Sequence, residues 1–87
     1  MSTPTPDEPT FTYERYGFSF KVYRNRVEVA ERQFFGNMKP TTILLRSVTG
    51  VEATSAKIII RTSDGKKYEY ILGTKTEAGR QALVALL

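Results

Sequence analysis

The stretch Lys57 to Leu72, KIIIRTSDGKKYEYIL, constrains the fold more than any other part of the chain. Two β-branched and aromatic runs flank Ser63-Asp64-Gly65. An Asp-Gly pair between such runs marks a hairpin, because glycine takes positive φ at no steric cost and aspartate tolerates it. Ile58 and Ile60 share one face of the first strand, Ile59 and Arg61 the other. Across the turn, Tyr68, Tyr70 and Leu72 oppose Glu69 and Ile71. Three consecutive isoleucines imply cover on both faces, as where a helix packs across one side. The second strand stops at Gly73 and a helix follows. Thr74 as N-cap with Glu77 three residues on forms a capping box. Gly79, Ala82, Leu83 and Leu86 then lie on one stripe, and Lys75, Arg80 and Gln81 fall away from it. That helix, expected over residues 75–87, caps one end of a sheet or barrel. Gly79 costs it about 0.5–1 kcal/mol relative to alanine, a cost tolerable where the backbone lies close to the sheet.

Upstream, the two-residue period of a strand recurs in short runs. Phe11 and Tyr13 alternate on odd numbers, whereas Tyr16, Phe18, Phe20 and Val22 alternate on even ones. Such a change of parity requires either one long strand bent by a bulge at Gly17 or two short strands. Tyr23-Arg24-Asn25-Arg26 reads as a tight turn, with Asn25 the residue suited to positive φ. Val27 and Val29 carry the next strand on one face, with Glu28 and Glu31 facing outward or toward an edge. Phe34-Phe35-Gly36-Asn37 ends that run. Met38-Lys39-Pro40 is a loop or an edge position, since proline cannot donate to a ladder. Thr41 to Leu45 is a further strand, Arg46-Ser47 turns the chain, and Val48 to Thr54 follows with a bulge at Gly50. Six or seven short strands separated by turn signals describe a sandwich or barrel. The expected class is mainly β, an antiparallel bent sheet or partly open barrel with one C-terminal helix.

Residues 1–9 contain three of the four prolines and no large apolar residue after Met1, which predicts a disordered tail ahead of a single domain over residues 10–87. A chain of 87 residues buries only about 60% of the surface it exposes when unfolded, so its stability is modest unless it assembles. The net charge is +4. Asp7 and Glu8 are the only charges in residues 1–9, so the remainder holds 13 basic residues against 7 acidic ones, or +6. A basic domain suits anionic partners or simply solubility. Cysteine and histidine are both absent. That removes disulfides, thiolate metal sites, the commonest general base and the commonest metal ligand, and no metal, cofactor or small-molecule substrate is expected. With no base to activate a hydroxyl and no defensible carboxylate pair, an enzyme is not expected either. No apolar run approaches the roughly 20 residues of a membrane-spanning helix, and the N-terminus lacks the pattern of a secretory signal. A cytoplasmic location, at most peripheral to a membrane, is the simplest expectation.

From Phe18 to Leu87, the paired strands Phe18–Tyr23 and Arg26–Arg32, the segment Thr41 to Val51 (TTILLRSVTGV), the hairpin strands Lys57–Thr62 and Lys66–Leu72, and the final amphipathic helix resemble the pleckstrin-homology-like fold in its short bacterial versions. The chain has no tryptophan, which eukaryotic members usually carry in the helix, and its loops are very short. The resemblance therefore implies a fold, without implying a phosphoinositide ligand.

Three surfaces follow as candidates. Lys21, Arg24 and Arg26 form K-x-x-R-x-R at what reads as the first hairpin of the resembled fold. In lipid-binding members such a turn holds headgroup phosphates, and guanidinium and ammonium groups match phosphate geometrically and electrostatically; the plainer reading is a charged, soluble turn. Phe34, Phe35 and Met38 form a candidate apolar interaction surface, to be covered by a protein partner or a second copy if exposed. Lys57, Arg61, Lys66 and Lys67 with Tyr68 and Tyr70 suggest a basic-aromatic surface for single-stranded nucleic acid. That reading is disfavoured because no RNP motif is present and an OB-fold places its helix between strands. Lysines protecting an edge strand account for the same residues. Protein recognition or self-association is the favoured function, and capture of anionic lipid headgroups by Lys21, Arg24 and Arg26 the alternative.

Overall fold

The computed structural model describes residues 8–33 and 36–87; most of the expected tail, and the Phe34-Phe35 pair, lie outside the described residues. Alternation of large apolar and polar side chains sets the first sheet. In β2 (Phe18–Val22), Phe18, Phe20 and Val22 are buried while Ser19 and Lys21 face outward. It pairs antiparallel with β1 (Phe11–Arg15) on one side and β3 (Arg26–Arg32) on the other, and β4 (Met38–Leu44) completes the order β1-β2-β3-β4. Arg15 stands opposite Phe18, so only Tyr16 and Gly17 connect β1 to β2. The parity change is thus a chain reversal between two short strands, and not a bulge. Gly17 has φ 76°, and a Cβ there would lie 3.2 Å from the Cβ of Arg32, so both conformation and space require glycine.

Pro40 pairs in register with Ala30, and β4 is the free edge of its sheet, the position a residue without an N–H tolerates. Asn25 does not take positive φ; among the described residues only glycines do. A 3₁₀ turn at Leu45–Ser47 leads into the second sheet, β5 (Val48–Ala53), β6 (Lys57–Thr62) and β7 (Lys67–Ile71), an antiparallel meander. Its register shifts between Val48 and Gly50, in keeping with the bulge that Gly50 predicts. The Asp-Gly hairpin forms as read, with Gly65 at φ 86° and the Thr62 amide donating to the Lys66 carbonyl at 3.1 Å.

The helix start departs from the capping box. The amides of Leu72 and Gly73 both donate to the Ala56 carbonyl at 3.0 Å, holding the exit of β7 against the β5–β6 turn. The chain then makes a 3₁₀ turn at Gly73–Lys75, and α1 runs Thr76–Val84, shorter than expected. Its N-cap is Lys75, which makes no side-chain cap bond. Thr76 Oγ1 donates to the Gly73 carbonyl at 2.8 Å, and Glu77 turns along the helix to pair with Arg80.

The expected stripe is the one that packs: Gly79 and Leu83 are buried, Ala82 and Leu86 half-buried. A Cβ on Gly79 would meet Leu72 Cδ1 at 3.0 Å and Phe11 Cε2 at 3.3 Å, so helix and sheet approach closely there. α1 lies on the inner side, which leaves Ile59 half-buried on the outer face, in register between Glu52 and Glu69. The helix does not provide the second cover expected for the isoleucine run. Phe20, Val22, Val27, Val29, Ile58, Ile60, Leu72 and Leu83 form the fully buried centre. The phenolic ring of Tyr70 crosses between sheets to Phe18 and Phe20, at centroid separations of 6.1 and 5.8 Å. Two antiparallel sheets of four and three strands and one C-terminal helix make a mainly β, partly open barrel.

Candidate functional site

The seven-strand count moves the basic turn. Because β1 precedes it, Tyr23-Arg24-Asn25 joins β2 to β3, the second hairpin of the sheet instead of the first. The three cations of K-x-x-R-x-R also part company. Lys21 faces outward from β2, opposite Glu28 in register, and its ammonium lies 3.9 Å from Glu14. Arg26 lays its guanidinium over the Tyr23 ring at 4.1 Å, and its Nε lies 3.2 Å from Glu28 Oε1 while Nη1 donates to Asn25 Oδ1 at 2.9 Å. Arg24 is exposed at the tip and, among the described residues, has no carboxylate in salt-bridge range.

Arg24 instead shares a concavity with a residue that the sequence pattern does not nominate. The Leu45 amide donates to the Asn25 carbonyl at 3.0 Å, drawing the 3₁₀ turn between the two sheets against the β2–β3 turn. Arg24, Asn25, Leu44, Leu45 and Arg46 consequently line one concavity of about 400 Å³. Arg46 is exposed and likewise has no carboxylate partner among the described residues. Local spacing gives no signal for this pairing, since a long-range backbone hydrogen bond creates it.

Of the candidate apolar surface, Phe34 and Phe35 lie outside the described residues. Met38 is 49% exposed at the start of β4. With Pro40, Thr42 and Leu44 (the last 41% exposed) it forms the outer row of that edge strand, uncharged and solvent-facing along its length. Beside this row Ser19, Lys21, Tyr23, Glu28, Ala30 and Pro40 border a second concavity of about 250 Å³.

The basic-aromatic set divides between faces. Tyr70 is buried and Tyr68 half-buried on the inner face of β7, while Lys57, Arg61 and Lys67 stand on the outer faces of β6 and β7. Those cations are matched by acids: Lys57 and Lys67 to Glu69 at 3.0 and 3.9 Å, Arg61 to Glu52 at 3.7 Å. No stacked platform results.

Within the same strand, burial pushes the Tyr70 phenol up to about 12, with the charge of Glu31 and then Tyr68 adding to the effect. A folded-state value above the unfolded one means that stability tied to the neutral phenol is fully present below pH 10 and is lost as pH rises through about 12. Ultraviolet titration, with Tyr70→Phe to identify the step, is expected to show the Tyr70 phenol ionising together with loss of the fold, and Glu31→Gln to bring that step to lower pH. Ionisation of Tyr70 with the fold intact would contradict this placement.

Among the described residues no helix is long and apolar enough to cross a membrane. No family model matches the chain, and no curated protein or solved structure matches it.

Proposed function

We propose that this chain is a non-enzymatic recognition module of pleckstrin-homology-like architecture, engaging a protein surface, in the first instance a second copy of itself, through the outer face of β4. The four-plus-three antiparallel arrangement closed by a C-terminal helix supports the architectural reading. One observation carries the functional reading: the row Met38, Pro40, Thr42 and Leu44 is exposed and uncharged along four successive outward positions, whereas on the outer face of the other sheet the exposed Ile71 stands beside ion pairs. Such a row spans about 20 Å at the rise of an extended strand. Pro40 withholds a donor from the free edge, so contact through side chains is favoured over the addition of a strand.

Light scattering over a concentration series, at low and high salt, tests the reading. A mass above the 9.9 kDa of one chain is expected at both salts, because apolar association is insensitive to screening. The double variant Met38→Lys with Thr42→Lys is expected to be monomeric with an unchanged melting profile, since both positions face solvent. A monomer at every concentration in the unmodified chain would overturn self-association.

A further inference from the structure

We infer that Asp64 is a site of covalent self-modification: its carboxyl closes onto the Gly65 nitrogen and the chain reopens there as isoaspartate, at a rate set by the Thr62 hydroxyl.

The reaction needs an acyl carbon, the backbone nitrogen of the next residue, and room between them. Asp64 is the one aspartate or asparagine of the chain that is followed by glycine; Asp7 precedes Glu8, Asn25 precedes Arg26 and Asn37 precedes Met38. Asp64 is exposed at the tip of the β6–β7 hairpin. Gly65 has no side chain to shield its nitrogen, and a Cβ there would meet nothing within 4 Å. As its proton leaves, that nitrogen bonds to Asp64 Cγ, one carboxyl oxygen departs as water, and a five-membered succinimide closes. A second water opens the ring. Attack at Cγ restores aspartate, whereas attack at the main-chain carbonyl leaves the chain running through Cβ and Cγ. Water is lost once and regained once, and no other reactant is consumed.

Three hydrogen bonds oppose the first step. Thr62 Oγ1 donates to Asp64 Oδ1, and the Lys66 amide donates to the same oxygen at 3.3 Å. Bonds to the ionised form favour it, and the Thr62 hydroxyl above all holds this carboxyl below the ordinary aspartate range. Departure of water requires the neutral acid, so these bonds slow closure. The Gly65 amide itself donates to the Thr62 carbonyl at 3.0 Å, which engages the nucleophile. Thr62 is buried at the end of β6. One fixed residue thus restrains both reacting groups, its hydroxyl the carboxyl and its carbonyl the nitrogen.

The product adds one backbone atom to a turn closed by the Thr62 amide on the Lys66 carbonyl at 3.1 Å. The pairing of β7 with β6 is weakened where it starts, and β7 carries the buried Tyr70 and leads into Leu72. Reacted chains are expected to unfold at lower urea than unreacted ones.

The test is incubation of the full chain in oxygen-18 water at neutral pH, followed by cleavage after Arg61 and Lys66 and separation of the peptide spanning residues 62–66. Isoaspartate at residue 64 carrying one heavy oxygen is expected from the folded chain. Thr62→Val is expected to raise its rate about ten-fold, the usual worth of one hydrogen bond to a charged group, while Thr62→Ser, which keeps the hydroxyl, stays near the unmodified rate. Circular dichroism checks that each variant is folded. In concentrated urea, where the turn is open, all three chains are expected to react at one common rate, faster than the folded unmodified chain. No isoaspartate at residue 64 in the folded chain, a folded Thr62→Val that reacts no faster than the unmodified chain, or equal rates with and without urea would overturn the assignment.

Discussion

Phe20→Ala is expected to lower the free energy of unfolding by about 3–5 kcal/mol, the range for removing a fully buried aromatic side chain. Phe20 is completely buried, and it is the residue through which the two sheets and the first strand meet. Its ring lies 6.3 Å from Phe11 in an edge-on contact and 5.8 Å from Tyr70 of the opposite sheet. Truncation therefore leaves a void bordered by β1 and β7, one from each sheet, and collapse on one side opens a gap on the other. Domains of this size have total stabilities of about 5–15 kcal/mol, so the loss is a large part of the whole. Urea denaturation checks it: the midpoint should fall with the slope unchanged. A loss below about 1 kcal/mol, the worth of roughly one buried methylene, would show that the sheets do not pack through this ring.

Gly79→Leu is expected to destabilise by about 1–3 kcal/mol, the usual cost of forcing added methylenes into a packed site. The sign opposes the intrinsic preference, because glycine in a helix interior is about 0.8–1 kcal/mol worse than alanine, and leucine is close to alanine. Packing decides the outcome here. A Cβ at this position already stands 3.0 Å from Leu72 and 3.3 Å from Phe11, and Leu72 is fully buried and has no room to withdraw. Ala78→Leu, one residue earlier on the exposed side of the same helix, serves as the reference and is expected to leave stability nearly unchanged. Equal midpoints for the two variants would mean that the helix does not lie on Leu72 and Phe11.

Both predictions concern contacts that local sequence signals specify in part. The stripe Gly79, Ala82, Leu83, Leu86 is a local pattern and predicts its own burial, as does the Asp64-Gly65 hairpin, because turn chemistry and helical period act over a few residues. The Gly50 bulge is legible for the same reason. The reversal at Tyr16-Gly17 is readable only as one of two alternatives, since a bulge and a turn both change the parity of the flanking strands. The capping box fails because its recognition considers four residues, while the helix start is set by the bonds from Leu72 and Gly73 to Ala56, sixteen and seventeen positions earlier. The charged turn shows the same limit. Lys21, Arg24 and Arg26 are neighbours in sequence, but strand alternation and a tyrosine ring send them to different surroundings. Arg46 joins Arg24 only through the long-range bond between Leu45 and Asn25. That juxtaposition is invisible in the string of residues.

The doubly used carbonyl of Ala56 also orders events in time. A helix of nine residues is too short to persist alone in water. α1 therefore waits for its first anchor, and that anchor exists only once β5, β6 and β7 have formed their meander. The hairpins of both sheets join sequence neighbours and assemble on a scale of about 1–10 μs. Docking of α1 onto Phe11, which brings distant parts of the chain together, is expected as the later event. In native-state hydrogen exchange the amides of α1 are accordingly expected to open before those of either sheet, with the Ala56 carbonyl marking the boundary between the two.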